Sequence, residues 1–172
     1  LKQLRLGTPL AHAKQGSGEA LPLHDASVDF DTVGQAWHWV EPLAASREIG
    51  RVLRPQGALG LIWNMLDESE PWVARFSTTM PRGGGTRMLE NPEPPFGAPF
   101  QRVESQTWRW SRPMTRSALL KMASSRSFFL TASREQQEAY RRELGAVLDD
   151  ARISSCVTVE VPYVTQAFRI SR

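Results

Sequence analysis

The run Ala58–Asn64, "ALGLIWN", constrains the fold more than any other stretch of the chain. A strand with one wet face alternates apolar and polar residues, and this run hardly alternates. It suits a strand covered on both faces, as in a parallel sheet. The residues before it supply the cover. Glu41-Pro42 opens a predicted helix, with Pro42 tolerated in its first turn. Ala45, Ile49, Val52 and Leu53 recur at helical spacing and form its buried face. Pro55 is expected to stop the helix, and Pro55 to Gly57 to turn the chain. Upstream, "VDFDTVGQA" is rich in β-branched and apolar residues and reads as another strand. Strand, helix, strand at these lengths is a βαβ unit with a right-handed crossover, which makes the fold class α/β.

The flanks are less regular. "AHAKQG" is expected to be a short strand, and "GSGEALPLHDAS" a loop. Ser69 to Thr79 reads as a helix with Trp72, Val73 and Phe76 on one side. "PRGGGTRMLENPEPPFGAPF" has three consecutive Gly and five Pro, and reads as a loop or lid. No helix with a Lys-Ser/Thr start follows its glycines, so it is not a phosphate cradle. "VESQTWRWS" alternates as a strand does, and "TRSALLKMASS" forms a short helix with Thr115 as N-cap. Ser133 and Gln136 make a capping box for a helix whose face is Tyr140, Leu144, Val147 and Leu148. "CVTVEVPYVTQAFRI" closes the chain as a strand, and Pro162 within it argues for an edge position or a bulge.

Composition narrows the function classes. The 172 residues carry 21 basic and 18 acidic side chains, a formal charge of +3. Residues 1–64 hold six of each, leaving fifteen basic and twelve acidic beyond (21 − 6 and 18 − 6). So small an excess attracts phosphate weakly, and there is no polybasic run. Cys156 is the single cysteine, which excludes an intrachain disulfide and a thiolate cluster and points to a cytoplasmic chain. No apolar run reaches the ~18 residues of a membrane span. The first residue is Leu1, and "LKQLRL" resembles the inside of a helix, so the natural start is expected upstream.

The stretch Val33 to Val40, "VGQAWHWV", is the most unusual, with two of the six Trp around a His. His12, His24 and His38 share no i,i+3 or i,i+4 spacing, so no metal site is expected. No G-x-S-x-G elbow is present for a serine nucleophile, and Cys156 reads as a buried small hydrophobe. Trp108, Arg109, Trp110 and Arg112 could stack and neutralise a nucleic acid. Alternation instead predicts a buried Trp face and a wet Arg face, and nucleic-acid binding ranks below it. In open α/β sheets, ligands sit beyond the carboxyl ends of the strands. Three such ends are Gln15 to Glu19, Gly34 to Trp39, and Trp63-Asn64. One of Trp37 and Trp39 is expected merely to cap the core.

"GSGEALPLHDASVDFDTVGQAWHWV" followed by "REIGRVLRPQGALGLIWN" resembles the second half of the class I S-adenosylmethionine-dependent methyltransferases. That family's pattern runs from a Gly and a small residue through Ala-Glu and Leu-Pro to Asp-x-Ser-Phe/Val-Asp. A strand ending Gln-Ala-x-His-Trp follows, then a helix, Leu-Arg-Pro-Gly-Gly and a further strand. "SSRSFFL" and "VEVPYVTQAFR" resemble the closing regions of its methyltransferase type 11 or trans-aconitate methyltransferase-like branch. The likeness covers nearly the whole chain and is specific for family, not for substrate.

The resemblance implies a Rossmann-like methyltransferase sheet, truncated at its N-terminus, with helical lid insertions and an antiparallel closing strand. Residues 1–172 would form one partial domain, with a core at 10–64, a variable lid at about 65–99, and the remaining sheet and helices at 100–172. It implies S-adenosylmethionine as cofactor and a small-molecule methyl acceptor, methylated on oxygen or nitrogen. Ser17, Gly18 and Glu19 would lie beside the adenine, and Gln35 and Ala36 beside the methionine part. Trp37, Trp39 and Asn64 would line the acceptor pocket. His38 would be the catalytic base, or an imidazole that only steadies the two indoles. Gly18 stands where the family has Ala, and Gln56 where it has the first Gly of a turn. The family's first glycine-rich loop and the acidic residue that holds the ribose are absent from this sequence. Weak or no cofactor binding by the chain alone is therefore expected. The alternative is a non-catalytic binding domain derived from the fold.

Overall fold

The structure is a computed structural model that describes residues 11–80 and 94–172. A four-stranded sheet is ordered β1-β2-β4-β3. The strands are β1 (Val28–Gly34), β2 (Leu53–Leu66), β3 (Arg102–Thr115) and β4 (Thr158–Ser171). Among the described residues two compact units separate by their contacts. One holds residues 11–61, 94–104 and 168–172; the other holds 62–80 and 105–167.

In the first unit, β1 leads through a 3₁₀ turn (Trp37–Trp39) into helix α1 (Pro42–Val52), and then into β2. The two strands advance together. The N–H of Ser27 donates to Val52 (2.8 Å), and further along Phe30 lies over Gly60, where a Cβ would come within 2.9 Å of its ring. β1 and β2 are therefore parallel around α1, as the sequence predicts. Helix α1 starts because Glu41 caps it, its carboxylate accepting the N–H groups of Leu43 (3.1 Å) and Ala44 (2.6 Å). Its inner face is Ala45, Ile49 and Val52. Ser46 is also buried, and it is satisfied: its hydroxyl donates to Pro42 O (2.6 Å) and accepts from Gly97 N–H (3.0 Å). Residues 94–100 are thereby pinned along α1, while 81–93, with the three glycines, lie outside the described residues.

Helix α1 gives way at Leu53, not at Pro55, and Pro55 to Gly57 lie within β2. The pre-proline residue Arg54 disfavours helical backbone, so the chain extends before the proline is reached. The expected strand at Ala11–Gly16 is missing. Among the described residues they have no partner strand, and the pairing nearby is the bridge between Ser17 and Ala20.

The second unit is built on helix α5 (Arg134–Asp150), against which α2 (Pro71–Thr79) and α3 (Arg116–Ser124) pack. Thr115 caps α3, and Ser133 and Gln136 form the expected capping box on α5. A short helix α4 (Ser127–Leu130), which the sequence reading lacked, carries Phe129 inward. Val73, Phe76, Leu119, Leu144 and Leu148 make the centre of the core. β4 runs antiparallel to β2, since Asp67 N–H meets Pro162 O (2.9 Å) while Thr165 meets Asn64. It is antiparallel to β3 too, with Ser111 against Glu160 and Trp110 against Tyr163.

Three expectations change here. Pro162 is not on an edge strand, because β4 lies between β2 and β3; its carbonyl is used by Asp67. Trp108 and Trp110 are not on a buried face, being 50% and 40% exposed. They sit on β3, the end of the strand order, where one side of the ladder and most of both faces have no cover among the described residues. Cys156 is exposed in a turn before β4 rather than buried within a strand.

Candidate functional site

Two of the candidate segments of the first unit meet, the Ser17 turn and the chain that follows Trp39. Ser17 to Ala20 form a tight turn, closed by Ala20 N–H on Ser17 O at 3.2 Å. This turn abuts the chain that leaves the Trp37–Trp39 turn. A Cβ on Gly18 would lie 2.7 Å from Cγ1 of Val40, so Val40 fills the space a side chain there would need. Beside it, Glu19 Oε1 accepts the N–H of Glu41 at 2.9 Å. The loop after the turn is anchored to α1: Glu48 accepts Leu21 N–H (2.8 Å), and Arg51 binds Glu48 (2.6 Å) and Asp25 (2.5 Å). Hydrogen bonding to Arg51 above all, and to Leu21, holds the Glu48 carboxyl below its ordinary range.

Gln35 follows β1 with φ +56°, in the left-handed region that a side chain other than glycine seldom occupies. Such a conformation costs about 1–3 kcal/mol and recurs at ligand sites. It turns the chain from the strand end through Ala36 into the 3₁₀ turn, which Trp39 N–H on Ala36 O (2.9 Å) closes. The two indoles then part. Trp37 is 1% exposed and donates its N–H to Pro95 O at 2.8 Å, so it caps the core. Trp39 is 71% exposed. The ring of His38 lies 4.7 Å from that of Trp39, tilted by 44°. His38 Nδ1 is buried and has no hydrogen-bond partner among the described residues. Burial also lowers the imidazole's pKa below its ordinary 6.5, so the ring is neutral at pH 7.

That shift has a measurable consequence. The unfolded chain binds more protons than the folded one between 6.5 and the lower folded value. Stability is therefore full above this window and falls as pH drops through it. Denaturant midpoints followed across the window should decline for the wild type, and less for His38→Gln. Equal declines would show that His38 is not desolvated.

Asn64 belongs to the second unit. Its Oδ1 accepts from Thr165 Oγ1 (3.0 Å), which in turn accepts from Trp110 Nε1 (2.8 Å). Among the described residues no group of His, Cys, Asp or Glu could hold a metal ion, and no helix is long and apolar enough to cross a membrane. Sequence reading missed the parts played by Val40, Glu41 and Pro95. The Glu-Pro pair at a helix start does signal Glu41 as a cap. No local signal marks Pro95, which is 58 residues from Trp37.

A family model described as a methyltransferase domain matches residues 2–61, which contain the Ser17 turn and the chain that follows Trp39. An uncharacterized methyltransferase of Mycobacterium tuberculosis is 34% identical, over 98% of this chain and 69% of the relative. An uncharacterized methyltransferase-like protein of Schizosaccharomyces pombe is 30% identical, over 98% of this chain and 68% of the relative. The chain belongs to the class I S-adenosylmethionine-dependent methyltransferases. Its fold agrees with this membership. The structure of a proposed type II methyltransferase from Anaeromyxobacter dehalogenans aligns with a TM-score of 0.59 at 22% identity, over 91% of this chain and 69% of that one.

Proposed function

We propose that this chain takes part in methyl transfer from S-adenosylmethionine to oxygen or nitrogen of a small molecule, with the turn around Ser17 and the end of β1 facing the cofactor. The observation that carries the reading is the junction of Gly18 and Glu19 with Val40 and Glu41. It joins the Ser17–Ala20 turn to the chain that follows the carboxyl end of β1, the kind of strand end beyond which α/β sheets bind ligands. The residues fit such a cofactor. The Ser17–Ala20 turn offers backbone to a flat base, and the left-handed Gln35 swings the following peptides away from the strand.

When bound, S-adenosylmethionine supplies an electrophilic methyl on a sulfonium centre. What remains for the protein is proximity, alignment and proton removal. Ser17, Gly18 and Glu19 are assigned to the adenine, and Gln35 and Ala36 to the methionine part. Trp37 is a wall from behind, through its fixed position. The open indole face of Trp39 suits an acceptor or a cationic group. His38 is assigned as the base. Since its Nδ1 is buried, its Nε2 is the atom that takes the acceptor's proton. Asn64, in the second unit, is a separate acceptor-side candidate, and residues 65–99 are assigned to acceptor choice. Titration with S-adenosylmethionine, read residue by residue, tests the cofactor half.

A further inference from the structure

We infer that Glu19 is a positioning residue: whatever its backbone meets, its carboxylate holds the chain leaving the Trp37–Trp39 turn in register with the Ser17–Ala20 turn. The inference rests on the proposed reading of the two turns as cofactor and acceptor sides. Its physical basis is independent of any ligand. The chain leaving Trp39 passes through Val40 to Glu41, and the N–H of Glu41 ends on Glu19 Oε1 at 2.9 Å. One residue earlier, Val40 rests against Gly18 at a distance that leaves no room for a methyl group. The next link is the Glu41 carboxylate, which takes the N–H groups of Leu43 and Ala44 and so fixes the start of α1. Glu19 thus stands between the first turn and the helix that follows the second. A charged acceptor makes a stronger bond to an N–H than a neutral one. Hydrogen bonds from the Glu41 and Glu19 backbone, and from Ser17, hold the carboxyl below its ordinary range.

No other bond from the Ser17–Ala20 turn to residues 37–41 competes with this one among the described residues. Movement of the first turn on meeting an adenine would therefore reach His38 and Trp39 through the Glu19 hydrogen bond together with the Gly18–Val40 contact.

Glu19→Ala and Glu19→Gln in the whole chain, followed by NMR without any cofactor, test this. With Glu19→Ala the Glu41 amide should exchange with solvent about tenfold faster, and the Trp39 indole and His38 ring resonances should move. Glu19→Gln keeps an oxygen acceptor, so it should return Trp39 and His38 toward their wild-type positions. The wild-type Glu41 amide should move as the Glu19 carboxyl is protonated, and Glu19→Gln should remove that movement. Unchanged Glu41 exchange and unmoved Trp39 and His38 signals in Glu19→Ala would overturn the inference. Should that variant not fold, a Glu41 amide whose response to acid is the same in Glu19→Gln as in the wild type would overturn it as well. None of these readouts needs cofactor, so a failure of S-adenosylmethionine to bind would count against the proposed function and not against this role.

Discussion

Trp37→Ala is expected to cost about 3–5 kcal/mol of stability, the range for deleting a large aromatic from a packed core. Trp37 is 1% exposed, and its indole N–H reaches Pro95 O at 2.8 Å. The substitution removes apolar contact, leaves a cavity, and strands a partly buried carbonyl. Trp37→Phe separates these terms. It keeps most of the ring burial and loses the donor, and should cost about 1–3 kcal/mol. Trp39→Ala is the control two positions away. With 71% of that residue exposed, its effect should stay within about 0.5 kcal/mol. Denaturant unfolding of the three variants measures the contrast. Equal losses for Trp37→Ala and Trp39→Ala would contradict the division of labour between the two indoles.

Phe76→Ala should have an effect of similar size in the second unit, about 3–5 kcal/mol. Phe76 has 0% exposure, and it lies in the cluster that also holds Val73, Leu144 and Leu148. Helix α2 is only nine residues long, too short to stand without tertiary packing. Losing Phe76 therefore removes the main reason α2 remains helical against α5. On the same helix Arg75 pairs with Asp150 at 2.7 Å, both side chains more than half exposed. Arg75→Ala should cost no more than about 1 kcal/mol. Far-ultraviolet circular dichroism during unfolding checks both variants. A Phe76→Ala protein as stable as Arg75→Ala would show that the core of this unit is not organised as described.

How much of this was legible in the sequence follows from the range of the forces involved. Helix α1 was readable because its proline and apolar spacing are local; the same holds for the capping box on α5. β2 was readable because a run without polar alternation needs cover on both faces. The failures lie where distant partners decide. Nothing in "VEVPYV" says that β4 lies between two strands, and so Pro162 suggested an edge or a bulge. Nothing in "TWRWS" says that β3 stands at the end of the sheet, which is why its tryptophans looked buried. At the candidate site the residue types were visible and their separate fates were not. Trp37 and Trp39 differ because Trp37 is tied to Pro95, a contact that lies 58 residues along the chain. The left-handed backbone of Gln35 had no compositional signal at all, since Gln carries no preference for it.

The central claim is that the Ser17 turn and the end of β1 face S-adenosylmethionine. Amide shifts recorded while the chain is titrated with S-adenosylmethionine into the millimolar range test it most directly. The account predicts that the shifts centre on Ser17, Gly18, Gln35 and Ala36, with the Trp39 indole following them. Shifts that spare these four residues, or that centre on the second unit, would contradict it.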